Sequence, residues 1–262
     1  MRTTWKPLSN ETKPLTFLLI TLILSLTYLT SNSFGFSESD LQKLKSGGKC
    51  IKCDLSGADL TGAKLSWADL RVADLTGVKL NRADLTGADL RVVDLSQADL
   101  SQANLTGVKL NRADLGQANL KEANLKEANL TGVNLTWAKL NGADLTGAVL
   151  YDAYLTGADL TGVKLNRANL AGADLRVVDL TGVNLTWAKL NGADLSGQDL
   201  SGADLSGAFL YGANLNGADL SGADLSGAVL YDAYLTGANL TGAKLTGVAG
   251  LSEEKRNQLM AD

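Results

Sequence analysis

Residues 54–73 read DLSGADLTGAKLSWADLRVA. Leucine returns at every fifth position, Leu55, Leu60, Leu65 and Leu70, and the series runs unbroken to Leu245, 39 leucines in all. Two places before each leucine stands Ala or Val, with Cys53 and Gln198 as the exceptions. The residue just before leucine is usually Asp or Asn and sometimes Lys. The residue after it is mostly Thr, Ser or Asn, and the next is most often Gly. The consensus is A-[D/N]-L-[T/S]-G.

A strict period of five suits neither regular element. Five residues of α-helix turn about 500°, so successive leucines step round the axis by about 140° and share no face. In a strand, an odd period sends alternate leucines to opposite faces. A chain that turns a corner every five residues keeps all of them on one inner axis. The small residue two places earlier fills the remaining inward space, and Gly or Asn/Asp serves the corners. Proline usage agrees: Pro7 and Pro14 are the only two, and neither lies between Leu55 and Leu245. A stacked coil bonds to the coils above and below, so a missing N–H is costly. A disordered tract has no reason to exclude proline or to keep phase.

These units resemble the pentapeptide-repeat family, and the resemblance covers residues 54–248. It implies an all-β fold, a right-handed quadrilateral parallel β-helix with four pentapeptides per coil. On that pattern 39 units make about ten coils, a rod about 45 Å long at roughly 4.8 Å per stacked strand. Internal duplication is visible. Residues 147–158 recur at 227–238, a shift of 80, while TGVNLTWAKLNGADL at 131–145 recurs at 181–195, a shift of 50. Duplication kept the phase of five but not of twenty, so the faces are locally interchangeable.

Composition excludes much chemistry. The 262-residue chain has no His, which removes the commonest general base and metal ligand. Its two cysteines, Cys50 and Cys53, cannot build a four-thiolate zinc site. Ser and Thr are plentiful, but no G-x-S-x-G elbow lies in a strand–helix context. We expect no enzyme, no cofactor and no metal. The net charge of −4 divides as +4 over residues 1–53, −7 over 54–248 and −1 over 249–262. An acidic middle disfavours nucleic acid as a partner.

The ends differ from the repeat. Residues 1–14 are basic, 15–29 (LTFLLITLILSLTYL) apolar, and 30–37 polar and small. This is the layout of an export signal, placed at residues 1–36. The apolar core is short for a spanning helix, which needs roughly 20 residues, and no A-x-A fixes a cleavage point. Both a cleaved signal and an uncleaved anchor stand open, the second giving membrane contact through residues 15–36. Residues 37–53 form an N-terminal cap, with a short helix over 38–47 begun by Ser39 and a C-x-x-C at Cys50 and Cys53. Three readings of that pair are open: a local disulfide, a pair of free thiols, and a redox motif. Residues 249–262 form a C-terminal cap, with a helix over 251–260 begun by Ser252. Open solenoid ends need such covers; the C-terminal helix is equally a candidate dimer contact.

With four sides per coil, residues twenty apart stack. One side then reads Asp54, Asp74, Asp94, Asp114 before leucine, an acidic stripe. Some family members mimic DNA and bind topoisomerases, but here lysines such as Lys64, Lys79 and Lys109 interrupt the acidic positions. Another side ends in Phe209, Tyr211, Val229 and Tyr231, with Tyr234 round the corner. This is either a contact patch or a ladder that stabilises stacked strands. Trp67 and Trp187 share a side six coils apart and Trp137 lies on another, so they are expected to form no stacking platform. Gln198 in an inward site requires hydrogen-bond partners or a local bulge.

The function expected is that of a non-enzymatic structural or interaction scaffold, an exported rod with an unidentified protein partner. Homodimerisation would use an end or the aromatic patch. Signal-bearing members of this kind are typical of cyanobacteria, which implies the periplasm or thylakoid lumen. The alternatives are a DNA-mimic module acting on a topoisomerase and a membrane-anchored organiser.

Overall fold

The computed structural model describes residues 35–253. The expected export signal, as far as residue 34, and the expected C-terminal helix, from residue 254, lie outside the described residues. Among the described residues no helix is long and apolar enough to cross a membrane.

Helix α1 spans Glu38–Gly47. Its N-cap is Ser37, two residues earlier than the Ser39 that the sequence suggests; the Ser37 side chain accepts from the Asp40 N–H. Leu41 and Leu44 are buried in the same core as the first repeat leucines. Gly48, left-handed at φ 63°, ends the helix by donating its N–H to the Leu44 carbonyl. The Asp40 carboxylate also accepts the Asp54 N–H at 3.0 Å. Asp74, Asp94 and Asp114, in the same position on later coils, donate to the coil below. On the first coil the helix supplies the acceptor.

From Lys49 onward the chain forms parallel bridges between residues twenty apart: Asp54 with Asp74, Asp59 with Lys79, Lys64 with Asp84, Asp69 with Asp89. Twenty residues are four pentapeptides, so each coil has four sides. The bridges step from Lys49 to Ala249. Every leucine of the series is buried, with the inward Ala and Val residues beside it except Ala63, Ala233 and Ala238 near the ends, which are half-buried. Burying a leucine is worth about 1.5–3 kcal/mol, and this stack is the core.

The unit around Leu115 shows where the backbone donors go. Leu115 N–H donates to the Asn134 carbonyl and Gln117 N–H to the Thr136 carbonyl, both in the coil above. Asp114 N–H donates to the Val93 carbonyl in the coil below. Ala113 N–H closes the preceding turn onto the Leu110 carbonyl. The fifth donor, Gly116 N–H, bonds to the Asp114 side chain at 2.8 Å. All five are satisfied, and proline would forfeit one at any position.

The second residue after each leucine adopts a left-handed conformation. Glycine does this without cost, and it is the third residue of a type II turn. Sixteen non-glycine residues also adopt it at this position, among them Val72, Val92 and Val177, for which the cost is roughly 1–2 kcal/mol each. Stacking on both sides holds them there.

The ladder breaks at one place. Asp179 joins no bridge, although its equivalents below and above do. Gln198 stands one coil above Val178 in the inward column. It is buried; its Oε1 accepts the Val178 N–H at 3.2 Å and its Nε2 donates to the Ser196 carbonyl at 3.4 Å. An amide in a space sized for Ala holds the coils apart and replaces a lost backbone bond. Trypsin should therefore cut at Arg176 before any other site within residues 54–248, read by mass spectrometry of a limited digest. Equal cleavage at Arg112 or Arg167 would show that the gap is closed.

Candidate functional site

The outer surface is built from three positions of each unit. The residue before leucine points outward at the bridge, and the two after it form the corner. Asp or Asn before leucine recurs because its side chain accepts the N–H two residues on: Asp59 from Thr61, Asp94 from Ser96, Asp159 from Thr161, Asn239 from Thr241. Where Tyr234 occupies that place, the acceptor comes from the coil below instead, and Thr236 N–H donates to Asn216 Oδ1 at 2.8 Å. The acidic positions are thus structural parts of the turn.

Stacked carboxylates are relieved in two ways. Asn above Asp donates its amide down: Asn119 to Asp99 at 3.0 Å, Asn134 to Asp114 at 2.9 Å, Asn214 to Asp194 at 3.1 Å. Arg after leucine folds back on its own Asp as a two-pronged clamp, Arg71 on Asp69, Arg91 on Asp89 and Arg176 on Asp174. Asp54, Asp74, Asp94 and Asp114 remain bridged in sequence as the acidic stripe. Their interactions differ in strength. The Arg176 guanidinium, followed by its backbone N–H, holds Asp174 down at about 2. The Ser226 hydroxyl and backbone N–H, with Lys244, do the same for Asp224.

The aromatic residues meet on adjacent coils. Phe209 bridges Val229, and Gly212 N–H donates to the Tyr231 carbonyl, which sets Tyr211 one coil below Tyr231. Phe209, Tyr211, Tyr231 and Tyr234 are exposed and Val229 is half-buried. Asp232 accepts a hydrogen bond from the Tyr211 phenol and raises its pKa above the usual value. Tyr234 stacks on Asn214 on the next side. A second, smaller aromatic group, Tyr151 and Tyr154, repeats the geometry four coils earlier, as the duplicated segment dictates.

At the capped end Cys50 and Cys53 are buried and joined as a disulfide, with Cα atoms 5.3 Å apart. Asp40 lies beside them. With both sulfurs bonded to each other, no thiolate is left for a metal.

Sequence reasoning missed how the tryptophans sit. Trp67, Trp137 and Trp187 all occupy the left-handed corner position, and each ring covers a glycine in the coil above. A Cβ added at Gly87, Gly157 or Gly207 would strike several ring carbons at 2.5–2.8 Å. The signal was present in the sequence, because each Trp is followed twenty residues later by Gly.

A four-sided parallel coil with one inward leucine per five residues defines the class, a pentapeptide β-helix. The chain belongs to the family Pentapeptide repeats, whose model matches residues 46–77, 73–107, 109–147, 143–182, 179–217 and 213–248. It is similar to HetL, a pentapeptide repeat protein involved in heterocyst differentiation regulation from the cyanobacterium Nostoc sp. Strain PCC 7120. The match has a TM-score of 0.75 and 37% identity over 79% of this chain and 94% of HetL. QnrB1, a plasmid-mediated fluoroquinolone resistance protein, matches with a TM-score of 0.36 and 23% identity, over 73% of this chain and 97% of its own. A pentapeptide repeat protein from the Arabidopsis thaliana thylakoid lumen matches with a TM-score of 0.21 and 27% identity, over 64% and 75%. Among curated proteins, none matches this chain.

A carboxylate whose pKa is depressed by folding adds stability above its unfolded pKa, near 3.9. That stability is lost as pH falls through the folded value, about 2 for Asp174 and Asp224. The urea midpoint should stay level from pH 7 to about 5 and fall between about pH 4 and 2. Asp174→Asn should flatten part of that decline. A decline that begins above pH 6 would contradict the assignment, since the chain has no His.

Proposed function

We propose that the protein is a non-enzymatic interaction rod, exported from the cytoplasm, that engages a protein partner or a second copy through its aromatic C-terminal coils. The observation that carries this reading is the run of Phe209, Tyr211, Val229 and Tyr231 over bridged coils, with Tyr234 beside it. Many of the other outward positions are Asp, Asn, Ser and Thr engaged in turns and ladders, and the exposed Trp67, Trp137 and Trp187 stand on separate coils. Exposed aromatics packed together gain little for the fold, whereas aromatic residues are enriched at interface centres. Export is supported by the basic, apolar and small-residue layout of residues 1–37. The destination is the periplasm or thylakoid lumen. Retention of the apolar run 15–29 would instead make the protein a membrane-anchored organiser.

The DNA-mimic reading has less support. The stripe Asp54–Asp74–Asp94–Asp114 is four residues long and ends at Asn134. Its neighbouring side alternates Asp59, Lys79 and Asp99, which breaks an even negative field.

Substituting Phe209, Tyr211 and Tyr231 together by Ser should leave the circular dichroism spectrum intact and abolish self-association or capture of the partner. Unchanged sedimentation together with an unchanged set of captured proteins from native extract would overturn the patch as the contact surface. N-terminal sequencing of the native protein should begin within residues 30–37; an intact Met1 in the aqueous fraction would refute export.

A further inference from the structure

The segment TGVNLTWAKLNGADL occurs twice, at 131–145 and 181–195, and the two copies stand in different surroundings. At the first, Asn134 Nδ2 donates to Asp114 at 2.9 Å, and the coil below presents Gly116 and Gln117 at the corner. At the second, Asn184 bridges Lys164, which offers no acceptor, and the coil below presents Asn166 and Arg167. Asn184 Oδ1 is filled by the Thr186 N–H and hydroxyl, so its amide N–H groups are left over. The Thr146 hydroxyl, whose one proton goes to Asp144 at 2.6 Å, lies 3.0 Å from the Asn166 amide, which leaves at least one Asn166 N–H over as well. Arg167 enters no ion pair among the described residues.

These residues line one shallow groove of about 360 Å³: Asn166, Arg167, Asn184, Thr186 and Trp187. One face of the Trp187 indole rests on the Gly207 backbone, and the side chain remains 56% exposed. The groove therefore joins a flat apolar ring, braced from behind, to three sets of unused N–H donors. It contains no carboxylate. Trp187 also sits in a left-handed backbone, a strain of roughly 1–2 kcal/mol that glycine, the usual residue there, would avoid.

We propose that this groove binds a uronic acid residue of an acidic polysaccharide. The apolar face of a pyranose ring lies on Trp187, since C–H groups carry the partial positive charge that an aromatic face attracts. Arg167 takes the sugar carboxylate with two parallel N–H bonds. Asn166 and Asn184 donate to ring hydroxyl oxygens. A sugar with one carboxylate matches Arg167, the one cation in the groove lining. A nucleic-acid strand carries a phosphate on every residue and needs a track of cations. Here Lys164 is drawn to Asp144 at 3.8 Å, and Asp204 follows Asn184 in the coil above.

Trp187→Gly and Arg167→Gly both install the residue that most units carry at that corner, so both variants keep the fold. Trp137→Gly removes the twin platform, which has Gln117 in place of Arg167 below it and so lacks the cation. Titration calorimetry of the full chain with trigalacturonate should show binding, about tenfold or more weaker in Trp187→Gly and in Arg167→Gly and unchanged in Trp137→Gly; tenfold corresponds to 1.4 kcal/mol. Cellotriose, of the same length without carboxylates, should bind at least about tenfold more weakly than trigalacturonate. The proposal is overturned by no heat with millimolar trigalacturonate, by equal binding of cellotriose, by tighter binding of oligothymidylate, or by equal loss in Trp137→Gly.

Discussion

The backbone hydrogen bond between one coil and the next is the constraint on which everything else rests. A pentapeptide has five N–H groups: two reach up, one reaches down, one closes the turn, and the last is taken by a side chain. The leucine column adds the hydrophobic term, but leucines can collapse in many ways. Inter-coil bonds fix the spacing and register that let every leucine fall on one axis. They also hold non-glycine residues in left-handed corners at a cost no isolated turn would sustain. Proline is excluded from the repeat for the same reason.

The same constraint explains why the surface can vary while the fold does not. Only the inward two positions and the corner conformation are demanded, and the outward residues need only keep the turn donor satisfied. That requirement accounts for Asp and Asn before leucine without invoking any partner. It also tempers sequence likeness within the family. Identity of 37% to HetL is raised by Leu, Ala, Asp/Asn and Gly, which the coil requires of any member. Function has to be sought where a unit departs from these demands: Phe209 with Tyr211 and Tyr231, Trp187 above Arg167, and Gln198 in the core.

The fold was legible because Leu at every fifth place, a small residue two before it and the missing proline each follow directly from stacking. The four-sided coil was not contained in the period of five. It came from the family resemblance and shows in the structure as bridges between residues twenty apart. The aromatic neighbours followed once twenty was adopted. Less was visible where a side chain reaches another coil. Gln198 was marked as anomalous, but that its amide would take over the Val178 N–H depends on how far the coils separate. The tryptophan–glycine stacking was hidden for a related reason. It couples residues twenty apart, Trp67 with Gly87, Trp137 with Gly157 and Trp187 with Gly207, so it shows only in the twenty-residue register and not within the five-residue unit.

Residue-resolved amide hydrogen exchange under native conditions tests the stapled coil most directly. Protection should repeat with a period of five: slow at each leucine and at the residues before it and two after it, faster at the residue just after it, whose bond is to a side chain. The pattern should lapse around Asp179, where the bridges stop. Uniform protection along the repeat, or protection that follows burial without that period, would contradict the inter-coil ladder as the element that holds the rod together.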